Sequence, residues 1–296
     1  MLNPKRPLKL AVIGNKGGTG KSSTTLGICD AILNKFPQAR VLIVDGDEQS
    51  CIKTTFAVKI GQAEGGLAAI LLEDVKPETV AITVRPRLDI ILSGGRAMRD
   101  FEKTLSKTLD ADQIVTTRFK DIKGYDVIVF DTPPAFSLLT SNIVTFCDYL
   151  VIPCTPDLYS YVGVKNTISF LDSVEPYFLK KNIPIATVLG VVPTMHDGRR
   201  NMDLDVLDDL HRLWEKAALR GGKVFSPIRA DIKVKTAQVK RKLLTEFAPL
   251  SKAAEDYRKL TADILEMVQF SVPESDPLMN LNNLGQNVES VSSVTL

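Results

Sequence analysis

The sequence predicts an α/β fold, a doubly wound and mostly parallel sheet flanked by helices. Three observations carry that expectation. Six runs rich in Val, Ile and Leu recur at 8–14, 40–47, 88–94, 125–134, 148–155 and 185–194. They are continuous rather than alternating, which is how strands buried on both faces read. Helix-length amphipathic segments at 21–35, 97–117, 158–174, 201–217 and 251–268 separate or follow them, so strand and helix alternate. A glycine-rich turn, GNKGGTGKSS at 14–23, joins the first strand to the first helix.

The 296 residues suffice for one large domain, and a hydrophobic fraction of 44 % gives an ordinary core. Residues 1–270 read as that domain. Residues 271–296, rich in Ser, Asn, Val and Pro with little periodicity, read as a disordered tail. No apolar run of about 18 residues occurs, so no membrane partner is expected. The N-terminus, broken by prolines and charges, does not read as a signal peptide. Cys29, Cys51, Cys147 and Cys154 are scattered, which fits a reduced cytoplasmic chain and argues against a zinc or iron–sulfur site. His211 and Trp214, three apart on an expected helix, read as packing residues. The net charge is +2, so any affinity for nucleic acid must come from a local patch.

In a parallel sheet of this kind, ligands sit beyond the carboxyl ends of the strands. The turn at 14–23 is the first such place. It carries the G-K-[ST] end of a phosphate-binding loop in Gly20, Lys21 and Ser22, with strand before and helix after. Gly17, Gly18 and Gly20 let backbone N–H groups approach phosphate oxygens, with Thr19 and Ser23 alongside, and the helix start adds partial positive charge. Lys21 is expected on the β- and γ-phosphates of ATP and Ser22 on Mg²⁺. The fourth of the six strands ends in FDTPP, placing Asp131 as a second Mg²⁺ ligand, acting through water. Lys16, five residues before Lys21, is not needed by an ordinary cradle.

KGGTGKS at 16–22 resembles the deviant phosphate loop K-G-G-x-G-K-[ST] of the ParA/MinD ATPases, and the resemblance extends over roughly residues 8–268. DGDEQ at 45–49 is similar to that family's D-x-D-x-Q segment, although Glu48 stands where proline is usual, and DTPP at 131–134 to its D-x-P-P. TMHDGRRN at 194–201 is similar to a ParA segment. The resemblance implies an ATP-dependent sandwich homodimer in which Lys16 reaches the partner's nucleotide. It gives Asp47 the attacking water and Asp45 support of Mg²⁺. It places Pro193, Thr194 and Ile228 around adenine. It also implies binding of DNA without sequence preference by a basic region: Arg229, Lys233, Lys235, Lys240, Arg241 and Lys242, extended by Arg199 and Arg200. A ParB-type partner would stimulate hydrolysis, the chain would associate with the nucleoid, and the cargo would be a plasmid, a chromosome or another assembly.

Three relatives of the same superfamily compete. A MinD-like membrane ATPase requires a basic amphipathic C-terminal helix, and residues 271–296 contain no Lys or Arg. A cluster-carrying ATPase requires paired loop cysteines. An amide-forming metabolic ligase leaves both Lys16 and the basic segment unexplained. A binding module without catalysis would not need Lys21, Ser22, Asp47 and Asp131 together.

Overall fold

The computed structural model describes residues 6–272 apart from 48, 50–51, 59–64, 96, 99–100, 102–103, 105–110 and 217–221. The sheet strands are β1 (Leu8–Val12), β2 (Val41–Asp45), β3 (Ile82–Arg85), β4 (Leu88–Ile91), β5 (Val127–Asp131), β6 (Tyr149–Cys154), β7 (Thr187–Pro193) and β8 (Lys223–Val224). Their order is β3-β4-β2-β5-β1-β6-β7-β8. Every pairing is parallel except β3 with β4. All six expected strands are present. The antiparallel edge strand β3 and the two-residue β8 were not expected, because neither forms a continuous apolar run.

The helices of the described residues are α1 (Lys21–Lys35), α2 (Ile52–Phe56), α3 (Gly66–Glu73), α4 (Pro77–Val80), α5 (Ile114–Phe119), α6 (Leu138–Phe146), α7 (Leu158–Lys180), α8 (Asn201–Lys216), α9 (Ile232–Val239), α10 (Leu244–Phe247) and α11 (Lys252–Met267). Side chains cap four of them: Ser137, Asp157, Asp231 and Ser251 accept from backbone N–H groups at the starts of α6, α7, α9 and α11. Of the helix expected over 97–117, much lies outside the described residues, and Ile114–Phe119 follows a short 3₁₀ turn. The expected tail lies outside them from residue 273 onward. Just before it, Phe270 meets Phe36 edge to face.

Alternation within each strand feeds two cores, one on each face. Leu10, Val12, Val41, Ile43, Val127 and Val129 pack with α1 and α11. Their neighbours Ala11, Ile13, Leu42, Val44, Ile128 and Phe130 pack with α3, α5, α6 and α7. Trp214 joins the second core as expected, whereas His211 is exposed. The amphipathic face of α8 passes through Leu210, Leu213 and Trp214, and His211 falls outside it.

Helix α1 packs closely on α11. A Cβ on Gly27 would lie 2.5 Å from the ring of buried Tyr257. Glycine inside a helix costs about 1 kcal/mol relative to alanine, so the close approach decides the residue. Gly27→Ala is expected to lower stability in urea by about 1–3 kcal/mol through overpacking. A gain in stability would mean that the ring moves aside without loss.

Candidate nucleotide-binding site

Three strands end at one level. In the parallel register Val12 of β1 lies beside Asp131 of β5, and Asp131 lies beside Asp45 of β2. The backbone stitches the loops beyond them: Gly46 N–H donates to the Asp131 carbonyl at 2.8 Å, and Thr132 donates to the Val12 carbonyl through both N–H and hydroxyl. The expected carboxylates and the expected cradle are therefore brought together by strand register.

The cradle is the turn between β1 and α1. Gly18 and Gly20 have φ of +79° and +89°, conformations that favour glycine. Cβ atoms added at Gly17 or Gly18 would meet nothing within 4 Å, so this loop is lined by bare backbone. The N–H groups and helix dipole of α1 face the turn with no side-chain cap and no acid in the helix's own first turn. Lys21 is buried and donates to the Lys16 carbonyl at 2.9 Å. Burial pushes its ammonium below the ordinary lysine range, against the opposing charges of Asp131 and Asp47.

Asp131 is fully buried. Burial raises its pKa, while hydrogen bonds from the Ser22 and Thr25 hydroxyls and the charge of Lys21 oppose the rise. Its Oδ2 has no hydrogen-bond partner among the described residues. A buried, unsatisfied carboxylate oxygen beside a serine hydroxyl and a second buried carboxylate, Asp45, is an oxygen-donor set that fits Mg²⁺. Asp47 lies one turn further out, its N–H on Asp45 Oδ1 at 3.0 Å and its own Oδ1 accepting from Gln49 N–H at 2.9 Å. Glu48, between them, lies outside the described residues.

Lys16 stands apart from this buried group. Its Nζ lies 2.6 Å from Asp157 Oδ1 and 3.0 Å from Ser160 Oγ, with the Tyr159 ring 5.7 Å away. Burial opposes ionisation of Asp157, but hydrogen bonds from Lys16, Thr155 and Ser160 outweigh it and hold the carboxyl well below the usual range. Asp157 and Ser160 were not foreseen. The only sequence signal was an N-cap residue opening the helix after β6.

A cavity of about 360 Å³ opens beside the helix end of the cradle. Its lining includes the expected Thr194 and Ile228, together with Gly20 and Ser23. Thr194 Oγ1 donates to the Thr19 carbonyl at 2.7 Å, which ties β7 to the cradle. Pro193 does not line the cavity; its carbonyl accepts from Ile228 N–H at 2.8 Å and so positions that wall. Met195, Ala230, Val234, Gln238 and Tyr257 also line it and were not expected.

The basic segment divides into two groups. Arg229 is held by Asp256 and Glu255, each within 2.7 Å, and Arg199 and Arg200 lie on Asp197. Lys233, Lys235, Lys240, Arg241 and Lys242, on α9 and the turn after it, are exposed and have no ion pair among the described residues. Lys235 reaches the rim of the cavity.

A family model described as an AAA domain matches residues 8–185. A ParA family protein of Chlamydia pneumoniae is 29 % identical over 266 residues, covering 88 % of this chain and 98 % of that one. The sporulation initiation inhibitor protein Soj of Bacillus subtilis is 27 % identical over 260 residues, covering 86 % and 97 %. This chain belongs to the ParA/MinD family. Among solved structures, a single-site variant of Cyanothece McdA in complex with ATP superposes with a TM-score of 0.75 at 18 % identity, covering 91 % of this chain and 99 % of that one. Cobyrinic acid a,c-diamide synthase of Mycobacterium smegmatis, with an ATP analogue and magnesium, superposes with a TM-score of 0.74 at 24 % identity, covering 89 % and 96 %. These likenesses establish the fold. In this ParA/MinD member the lysine that departs from an ordinary cradle is the one held by Asp157.

Asp157→Asn keeps the helix cap and removes the charge facing Lys16. The pair is about one-third exposed, with side-chain exposures of 34 % and 33 %. The loss at neutral pH is therefore expected to be no more than about 1 kcal/mol. A depressed carboxyl stabilises the fold above its unfolded pKa, and that contribution is lost as pH falls through the folded value. The stability gap between wild type and variant, measured by urea unfolding, should close below a pH of about 4. A gap that stayed constant down to strong acid would rule out the ion pair as its source.

Proposed function

We propose that this chain is a ParA-type ATPase switch. It binds ATP with Mg²⁺, closes two copies face to face over the nucleotides and holds DNA without sequence preference in that state. It releases the DNA after a ParB-type partner stimulates hydrolysis. The observation that carries this reading is the second lysine. Lys21 already serves the cradle from inside, and Lys16 Nζ sits outside it, on Asp157 and Ser160.

The geometry supports these roles. Backbone N–H groups of 17–22 and the buried ammonium of Lys21 bind and orient the polyphosphate, whose charge restores the solvation that Lys21 lost on burial. Ser22 and Asp131, with Asp45 behind them, would hold Mg²⁺, which when bound would supply positive charge to offset that of the phosphates. Asp47, anchored to Asp45 through its backbone, positions a water for attack, and positioning is most of what phosphoryl transfer asks of a protein. Lys16 exchanges one carboxylate for the larger charge of a partner's triphosphate, so closure becomes favourable only with nucleotide present. Around Lys16 the first turns of α7 expose Leu158, Tyr159 and Val162 by 65 %, 78 % and 43 %, an apolar surface suited to a second copy.

The unpaired cations at 233–242 form the DNA surface. Binding there works by counterion release, so log affinity falls with log salt by about 0.9 for each phosphate neutralised. Nucleoid association and movement of a plasmid, chromosome or other cargo follow from cycles of binding and release.

The test is DNA binding by the purified protein with ATP, with ADP and without nucleotide, on unrelated sequences at two salt concentrations. Tight, sequence-indifferent and salt-sensitive binding only with ATP is expected; equal binding in all three states would sink the switch. Lys16→Ala should still bind ATP and lose ATP-dependent DNA binding. The double reversal Lys233→Glu and Lys240→Glu should leave dimerisation intact and flatten the salt slope by about 2. An unchanged slope would move the DNA surface elsewhere.

A further inference from the structure

Helix α9 closes on a residue poorly suited to the place it holds. Two hydrogen bonds finish its last turn, from Arg241 N–H to the Gln238 carbonyl and from Lys242 N–H to the Ala237 carbonyl, each 3.0 Å. That pattern needs a left-handed residue just past the helix, where glycine is the usual choice. Here it is Arg241, at φ +59°. Arg87 is left-handed too, at φ +67°, but its guanidinium is spent inside the fold on the Phe36 and Ala39 carbonyls. The Arg241 side chain is exposed and has no ion pair among the described residues. The backbone beneath it is pinned. Arg85 of β3 donates to the Arg241 carbonyl at 2.8 Å, and the same guanidinium holds Glu246. Glu246 also accepts from Leu243 N–H at 3.0 Å. The carboxylate nearest along the chain is thereby committed elsewhere, and Lys240, Arg241 and Lys242 stand exposed in a row.

We infer that Arg241 is a phosphate anchor of the DNA surface, a strained residue kept at the helix end because its guanidinium grips one backbone phosphate with both arms. The inference rests on the DNA reading of residues 233–242. A guanidinium presents its donors in a planar fork that matches two oxygens of one phosphate, which a lysine ammonium cannot do. The carboxyl end of α9 carries partial negative charge, which eases the crowding of three like charges until an anion arrives. The pinned backbone lowers the cost of binding, since the turn under the side chain is already ordered. Glycine would relax the turn and leave the phosphate to the neighbouring lysines. Stability and binding therefore pull in opposite directions at this one residue.

Two measurements on wild type, Arg241→Gly and Arg241→Lys test this: urea unfolding, and binding of a labelled DNA duplex of arbitrary sequence with ATP and Mg²⁺ over a range of salt. Arg241→Gly should unfold at higher urea, because the left-handed position no longer carries a Cβ. It should bind DNA about tenfold more weakly at low salt, with a salt slope shallower by about 1. Arg241→Lys keeps both the charge and the strain. It should match wild type in urea midpoint and in salt slope, and bind about threefold more weakly for want of the fork. Wild-type affinity and slope in Arg241→Gly, a lower urea midpoint in that variant, or full affinity in Arg241→Lys would overturn the assignment while leaving the DNA surface in place. Failure of wild type to bind DNA with ATP would overturn the DNA reading and this assignment with it.

Discussion

Lys21 and Asp131 are opposite charges taken out of water at the ends of adjacent structural elements, and much of the site is arranged around keeping them there. Neither is fully compensated. Lys21 spends a proton on a backbone carbonyl and its ammonium is destabilised by burial. Asp131 keeps an oxygen with no partner among the described residues. A buried charge without full compensation costs several kcal/mol. Strand register sets Asp131 level with Val12, the end of the strand from which the cradle leads to Lys21, and the two cores hold the register. Ligands of the opposite charge, a polyphosphate for Lys21 and a divalent cation for Asp131, would offset that cost of burial on the proposed function. The folded protein is thus prepared for the pair of ligands that the cradle and carboxylates suit.

Lys16 obeys a different rule. It sits about one-third exposed on Asp157, in a pair weak enough to be given up. On the proposed function, the contrast between the buried Lys21 and the partly exposed Lys16 separates holding a nucleotide from responding to one. The same separation appears in the basic residues. Arg229, locked on Asp256 and Glu255, helps tie the loop before α9 to α11, while the lysines of α9 and the following turn remain available to an external anion. Helix α9 also lines the cavity with Val234, Lys235 and Gln238, so one short helix borders both that cavity and the proposed DNA surface.

The parallel sheet was legible because strands buried on both faces must be largely apolar, and β1, β2 and β5 are, apart from Lys9 and the closing Asp45 and Asp131. The cradle and its carboxylates were legible because phosphate binding needs glycine, lysine and serine in a fixed local order at a strand end. The edge strand β3 escaped notice because it is half-exposed, and β8 because two residues carry no period. Asp157, Ser160 and Gln238 were hidden for another reason. Each meets the cradle only after more than a hundred residues of intervening chain, with contacts at |i−j| of 141, 144 and 215. No local pattern encodes such a meeting. Arg229 read as a free cation in sequence because Glu255 and Asp256 stand 26 and 27 residues away and meet it only in the fold, whereas the partner of Arg199, Asp197, is two residues before it.

The central claim is that nucleotide completes an interface between two copies through Lys16. Sedimentation velocity of Asp47→Ala, slowed in hydrolysis, with Mg²⁺ and either ATP or ADP tests it most directly. The account predicts a dimer with ATP, a monomer with ADP, and a monomer in both when Lys16→Ala is added. A monomer throughout, or a dimer indifferent to nucleotide and to Lys16, would contradict it.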